Sequence, residues 1–141
     1  MDKSTKIAAI KNRLERAQDD LETARVDLAA GKLRGAVIRA YYTVFHMASA
    51  LLLWHDQQRA RHSGVHSAFG EMFIKTGKIE PEYGRIYTES RRLREAHEYE
   101  FQVEPLTEVA AQQILSDAER FVARMERYLR EVGALEQTTT N

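Results

Sequence analysis

Apolar side chains at Ile7, Ile10, Leu14, Ala17, Leu21, Ala24 and Leu28 follow one another at steps of three and four residues. That spacing returns to one side of a 3.6-residue turn, so it encodes a long amphipathic helix with a single narrow seam. Gly31 is placed to end it as a C-cap residue. A broader apolar set follows, with Ala36, Val37, Ala40, Tyr41, Val44, Phe45, Ala48, Leu51 and Leu52. It predicts a second helix from about Leu33 to Trp54, the most buried of the chain. The polar stretch from Asp56 to Gly64 then reads as a loop or a frayed end.

A third helix is predicted over Val65 to Thr76, with Phe69, Met72 and Phe73 inward and Gly77 closing it. Pro81 suits the first turn of a fourth. That helix carries Tyr83, Ile86, Tyr87 and Leu93 and ends near Glu98 to Phe101. Pro105 and Thr107 open a fifth, with Thr107 as N-cap and a seam at Ile114, Ala118, Phe121, Met125, Tyr128 and Val132. No run alternates with period two over a useful length, so no sheet is expected. The expected fold is all-α, an up-down bundle of four to five helices. One domain is expected over residues 1–134, followed by a polar, disordered tail over 135–141.

Composition narrows the function classes. The 141 residues contain no cysteine, which removes disulfides, thiolate chemistry and cysteine metal sites. Lys plus Arg and Asp plus Glu are both 21, so no global field draws the chain to nucleic acid or membrane, and any anion binding must come from a local patch. The N-terminus is charged and lacks a signal-peptide core. The apolar run near Met47 to Trp54 is shorter than a membrane span, and a cytoplasmic protein without a membrane partner is expected.

The densest polar cluster runs from Glu89 to Phe101. Arg91, Arg92 and Arg94 are permanent cations with planar donor forks suited to phosphate. His97 has the side-chain type that takes and gives protons near neutral pH. Cutting RNA without a metal needs these abilities: a base for the 2′-hydroxyl, an acid for the leaving oxygen and a cation for the charged phosphorane. On a regular helix Arg94 and His97 stand about 60° apart and Arg92 and His97 about 140° apart. Arg92 therefore meets a His97 only where the helix ends or kinks, or where a second copy brings one. The competing reading is a solvated face with intrahelical pairs, Glu89 with Arg92 and Arg91 with Glu95.

Other candidates carry less. His62 and His66 have the i, i+4 spacing of metal ligands, but no third ligand accompanies them and no metal or cofactor is assigned. His46, inside the apolar second helix, reads as a satisfied buried histidine. Tyr41, Tyr42 and Phe45 read as core or dimer packing rather than a base-stacking platform. No phosphate-binding glycine loop and no Ser-His-Asp order is present.

The stretch Arg39-Ala-Tyr-Tyr-Thr-Val-Phe-His46 resembles the RAYYxxFH stretch of short, stand-alone prokaryotic HEPN proteins. Ala29 to Ala36 resembles the segment leading into it, and Leu93 to Tyr99 the second block of that group. The likeness extends over roughly residues 5 to 132. It implies a dimeric helical bundle and, in active members, a metal-independent endoribonuclease of toxin or defence type. The hallmark there is Arg, four to six residues, then His. Arg92 with four residues to His97 fits, and so does Arg91 with five. Including Tyr99 gives RxxxxHxY, similar to HepT-type toxins, which a minimal nucleotidyltransferase antitoxin neutralises and can modify with AMP. The resemblance thus implies Arg92, or Arg91, on the scissile phosphate, His97 as acid/base and Tyr99 as modification site, while the Arg94 fork is read from its own chemistry as a further phosphate contact. The two chains of the homodimer would bring their motifs together at one cleft. The dimer contact is expected from a long helix seam or from the face near Tyr41 and Phe45. The alternative is a non-catalytic module that binds a nucleotidyltransferase or a nucleotide. In that reading Ala96 to Tyr99 is a variant of the Ala-Asp-Tyr block of related short proteins.

Overall fold

The computed structural model describes residues 1–99 and 105–137. Among them the chain forms five α-helices and no strand: α1 Lys3–Ala29, α2 Leu33–Trp54, α3 His62–Phe69, α4 Pro81–Tyr99 and α5 Glu108–Glu131. The expected all-α up-down bundle is what the chain builds. Phe101, where α4 could end, and residues 138–141 of the expected polar tail lie outside the described residues.

The helix ends are set by local chemistry. Asp2 caps α1 by accepting from the Thr5 amide at 2.7 Å, and Thr107 caps α5 by accepting from Ala110 at 3.1 Å. At the far end of α1, Gly31 takes φ of 75°, a left-handed conformation that glycine adopts without strain. It lets the Gly31 and Lys32 amides bond back to the Leu28 and Asp27 carbonyls, closing a Schellman turn. The chain then reverses into α2 so tightly that a Cβ on Gly35 would lie 2.6 Å from Asp27 Oδ2.

Cross-links fix the directions. Lys6 at the start of α1 donates to the Trp54 carbonyl at the end of α2, so these two helices are antiparallel. Arg34, near the start of α2, donates to the His97 carbonyl near the end of α4. Arg25 pairs with Glu119, and Gln18 with Glu126, which sets α5 antiparallel to α1. Helix α2 lies at the centre, with Tyr41, Met47, Leu51 and Leu52 fully buried. It is long and apolar enough to cross a membrane, but 67% of its most apolar window is buried against the other helices, as a core helix should be.

Two details depart from expectation. Helix α3 begins at His62 rather than Val65, because the His62 ring stacks on Phe45 at 4.0 Å and anchors the turn. Its continuation over Gly70–Ile74 is a π turn, with Lys75 bonding to Gly70, before Gly77 closes the segment at φ 76°. The Tyr41–Phe45 face is also used inside one chain: Tyr41 is fully buried and Phe45 lies under His62.

Candidate functional site

Successive residues on α4 turn by about 100°, so its three neighbouring arginines point in three directions. Arg92 faces outward and forks onto Glu89, with contacts of 3.0 and 2.6 Å, its side chain 62% exposed. Arg91 faces α3 and pairs with Glu95 at 3.1 Å. Both intrahelical pairs weighed from sequence are therefore formed. The Arg91 guanidinium also reaches His66 Nδ1 at 3.1 Å. An arginine can only donate, so Nδ1 accepts, and the other nitrogen carries the proton toward Thr88 Oγ1 at 3.0 Å. Burial, then Arg91, lowers the His66 pKa below the usual histidine value.

Arg94 turns inward and is buried. It donates to Glu98, to the Tyr42 hydroxyl at 3.1 Å and to the Tyr99 hydroxyl at 2.7 Å. The guanidinium carbon lies 4.9 Å from the Tyr41 ring centre and 4.8 Å from that of Tyr99, within cation–π range. Burial opposes the charge, but the bonds to Tyr42 and Glu98 outweigh it and the Arg94 pKa is raised. Behind this cage, burial raises the Tyr41 hydroxyl to about 12, and that hydroxyl lies 2.9 Å from His62 Nδ1. His62 is lowered, by burial first and then by Arg94 and Arg91. The RAYYTVFH stretch and the end of α4 therefore meet at one place. Glu98, one turn after Arg94, is legible from spacing along α4, but Tyr42, brought in from α2, is not.

One turn along α2 from Tyr42, His46 has its Nε2 3.4 Å from Asp20 of α1, which also accepts from Arg39 at 3.2 Å. His46 is only half satisfied, since among the described residues its buried Nδ1 has no hydrogen-bond partner. The expectation of a fully satisfied buried histidine is corrected to that extent. Burial, then Arg16 and Arg13, drive its pKa down from 6.5 to about 4. Between those values the unfolded chain accepts a proton that the folded chain refuses. Stability present above pH 6.5 is therefore lost as pH falls toward 4, by on the order of 2–3 kcal/mol from this residue. Urea unfolding at pH 7 and pH 4.5 checks this. The native protein should lose more stability over that interval than a His46→Phe variant, and equal losses would remove His46 as the cause.

His97 and Tyr99 stand at the open end of α4. The His97 ring is half-buried, and among the described residues no hydrogen bond or ion pair engages it. The other four histidines are all engaged: His46 by Asp20, His55 by the Tyr128 hydroxyl at 2.7 Å, His62 by Tyr41 and His66 by Arg91. His62 and His66 are thus turned to separate partners. Tyr99 is 66% exposed although its hydroxyl rests on Arg94. Within one chain Arg94, Glu98 and Tyr99 are brought together, whereas Arg92 is held by Glu89 and is not joined to His97. The chemistry at hand is an accessible imidazole, an outward guanidinium and a phenol held by a buried cation.

A family model described as HEPN domain matches residues 10–128. A protein of Methanocaldococcus jannaschii named "Putative toxin" is 40% identical over 119 residues, covering 84% of this chain and 87% of that protein. A UPF0332 protein of Thermotoga maritima is 34% identical over 117 residues, covering 83% of this chain and 88% of its own length. A second Methanocaldococcus jannaschii protein with the "Putative toxin" name is 28% identical over 116 residues, 82% of this chain and 78% of that protein.

Proposed function

The chain belongs to the HEPN domain family, and on that premise we propose that it is a metal-independent endoribonuclease, the toxin of a toxin–antitoxin or defence system acting in the cytoplasm. The observation that carries this reading is the accessible His97 ring, left without a described partner in the register Arg92-x4-His97 while the other histidines are tied into the bundle. The likeness to proteins bearing a toxin name supports the physiological half of it.

In the proposed reaction His97 takes the proton of an RNA 2′-hydroxyl. The 2′-oxygen attacks the adjacent phosphorus, the bond to the 5′-oxygen breaks, and that oxygen leaves with a proton. The products are a 2′,3′-cyclic phosphate and a 5′-hydroxyl. Arg92 exchanges Glu89 for the phosphate, with Arg91 as the other candidate for that role, and the cation stabilises the charged phosphorane. Arg94 bonds Glu98 through Nε and Tyr42 and Tyr99 through Nη2, so it positions the last turn of α4 while Nη1 can add a phosphate contact. A homodimer supplies the missing proximity of Arg92 and His97. Tyr99, exposed at the rim, is the proposed site at which a minimal nucleotidyltransferase antitoxin adds AMP.

One observation favours a second reading, a non-catalytic module for a nucleotidyltransferase partner: Arg91 and Arg92 are already neutralised by Glu95 and Glu89. Incubating the purified protein with tRNA and mRNA in chelator decides between them. Cleavage should occur and should fall by roughly 100-fold or more in His97→Ala and in Arg91→Ala/Arg92→Ala. Intact RNA, or variants that cut as well as the native protein, would leave the binding module as the better account.

A further inference from the structure

A cavity of about 340 Å³ opens between the middle of α1, the last turns of α2 and the loop into α3. One wall is apolar, formed by Phe45, Leu52, Leu53 and Val65. The other presents Arg13, Arg16 and His46, and no aspartate or glutamate lines the space. Several arginines elsewhere sit on carboxylates, as Arg91, Arg92, Arg94, Arg120 and Arg124 do, while Arg34 and Arg59 donate to backbone carbonyls. Among the described residues, no ion pair or hydrogen bond engages Arg13 or Arg16. Asp20 is within reach along the helix but is taken by Arg39 and His46. His46, which lines the cavity, directs Nε2 to Asp20 at 3.4 Å. An apolar wall facing two guanidinium groups, with no carboxylate in the lining, forms the pattern of a small-molecule site, and the volume is within the usual range for one.

We propose that this cavity binds a small amphiphilic organic oxyanion. Its phosphate or carboxylate lies between Arg13 and Arg16, and its apolar body lies against Phe45, Leu52 and Val65 beside the His46 ring. The guanidinium forks match either oxyanion bidentately. The site adjoins the Arg94 cage through Phe45, which stacks on His62 at 4.0 Å, but it uses none of the residues assigned to RNA cleavage, and the inference stands independently of the nuclease reading. A long polyanion such as RNA is the poorer fit, because half of the wall is hydrocarbon.

The test uses the full chain labelled at histidine nitrogen and titrated with four probes. Phenyl phosphate and 4-hydroxyphenylacetate carry anion and apolar body together, while inorganic phosphate and phenol carry them apart. The joined probes should bind saturably with Kd of about 1 mM or tighter and shift the His46 ring nitrogens. The separate probes should be at least about tenfold weaker, since each engages half of the site. Arg13→Gln/Arg16→Gln should weaken the joined probes by about tenfold or more while the circular dichroism and RNA cleavage of the protein stay as they were. Three results would overturn the proposal: no saturable shift at His46 with either joined probe, unchanged affinity in the double variant, or occupation by a single-stranded RNA hexamer with the joined probes excluded. None of these bears on whether His97 cuts RNA, so the two readings fail separately.

Discussion

Replacing Arg94 with methionine should destabilise the protein by about 3 kcal/mol, the scale for removing one partner of a buried charged pair. For a chain of this length that is a fall of roughly 10 °C in Tm. Methionine fills most of the space, so packing is nearly kept and the loss reports polar contacts. It deprives the Glu98 carboxylate and the Tyr42 and Tyr99 hydroxyls of their common donor, and Tyr41 of its cation. Arg92→Met serves as control. Its pair with Glu89 is exposed on both sides, and its removal should cost no more than about 1 kcal/mol. Arg94→Lys should recover only part of the difference, because an ammonium keeps the charge but not the fork. Urea denaturation of the three variants measures this directly. Equal losses in Arg94→Met and Arg92→Met would mean that the cage holds nothing in place.

The fold was legible because its signals are local. The seam of α1, the broad apolar face of α2, the Thr107 cap and the Gly31 turn are each set by residues within a few positions of one another. The start of α3 was not, because His62 to Gly64 carry no apolar period and owe their helical turn to Phe45, a residue of another helix. The arginine cluster divides the same way. Counting 100° per residue separates Arg91, Arg92 and Arg94 into three directions, but the identity of each partner depends on tertiary packing. Tyr42 lies 52 residues before Arg94, and Asp20 lies 26 before His46. No spacing rule on α4 or α2 names either. His46 shows the limit well: an apolar helix face predicts its burial but not which of its two nitrogens is left without a partner.

The same helix geometry yields a sharper expectation for the proposed cleft. Within one chain Arg92 and His97 stand about 140° apart around α4 and cannot meet on a straight helix. The described α4 runs unbroken through both residues, so the chain offers no kink to bring them together. If the working pair is formed between protomers, His97→Ala and Arg91→Ala/Arg92→Ala are each inactive alone but complementary together. A two-fold dimer contains two equivalent sites. After mixing, unfolding and refolding at equal concentrations, half of the dimers are mixed, and each mixed dimer retains one intact Arg–His pair. Activity should therefore rise from near zero to about a quarter of the native level. A pair acting within one chain predicts no recovery at all, since every chain in the mixture lacks one member. The measurement is the rate of RNA cleavage in chelator before and after refolding of the mixture, with each variant refolded alone as the baseline. Recovery would place the chemistry at a cleft between two copies. Continued silence from a mixture of soluble, correctly folded dimers would require the end of α4 to bend, and the proposed two-chain site would have to be abandoned.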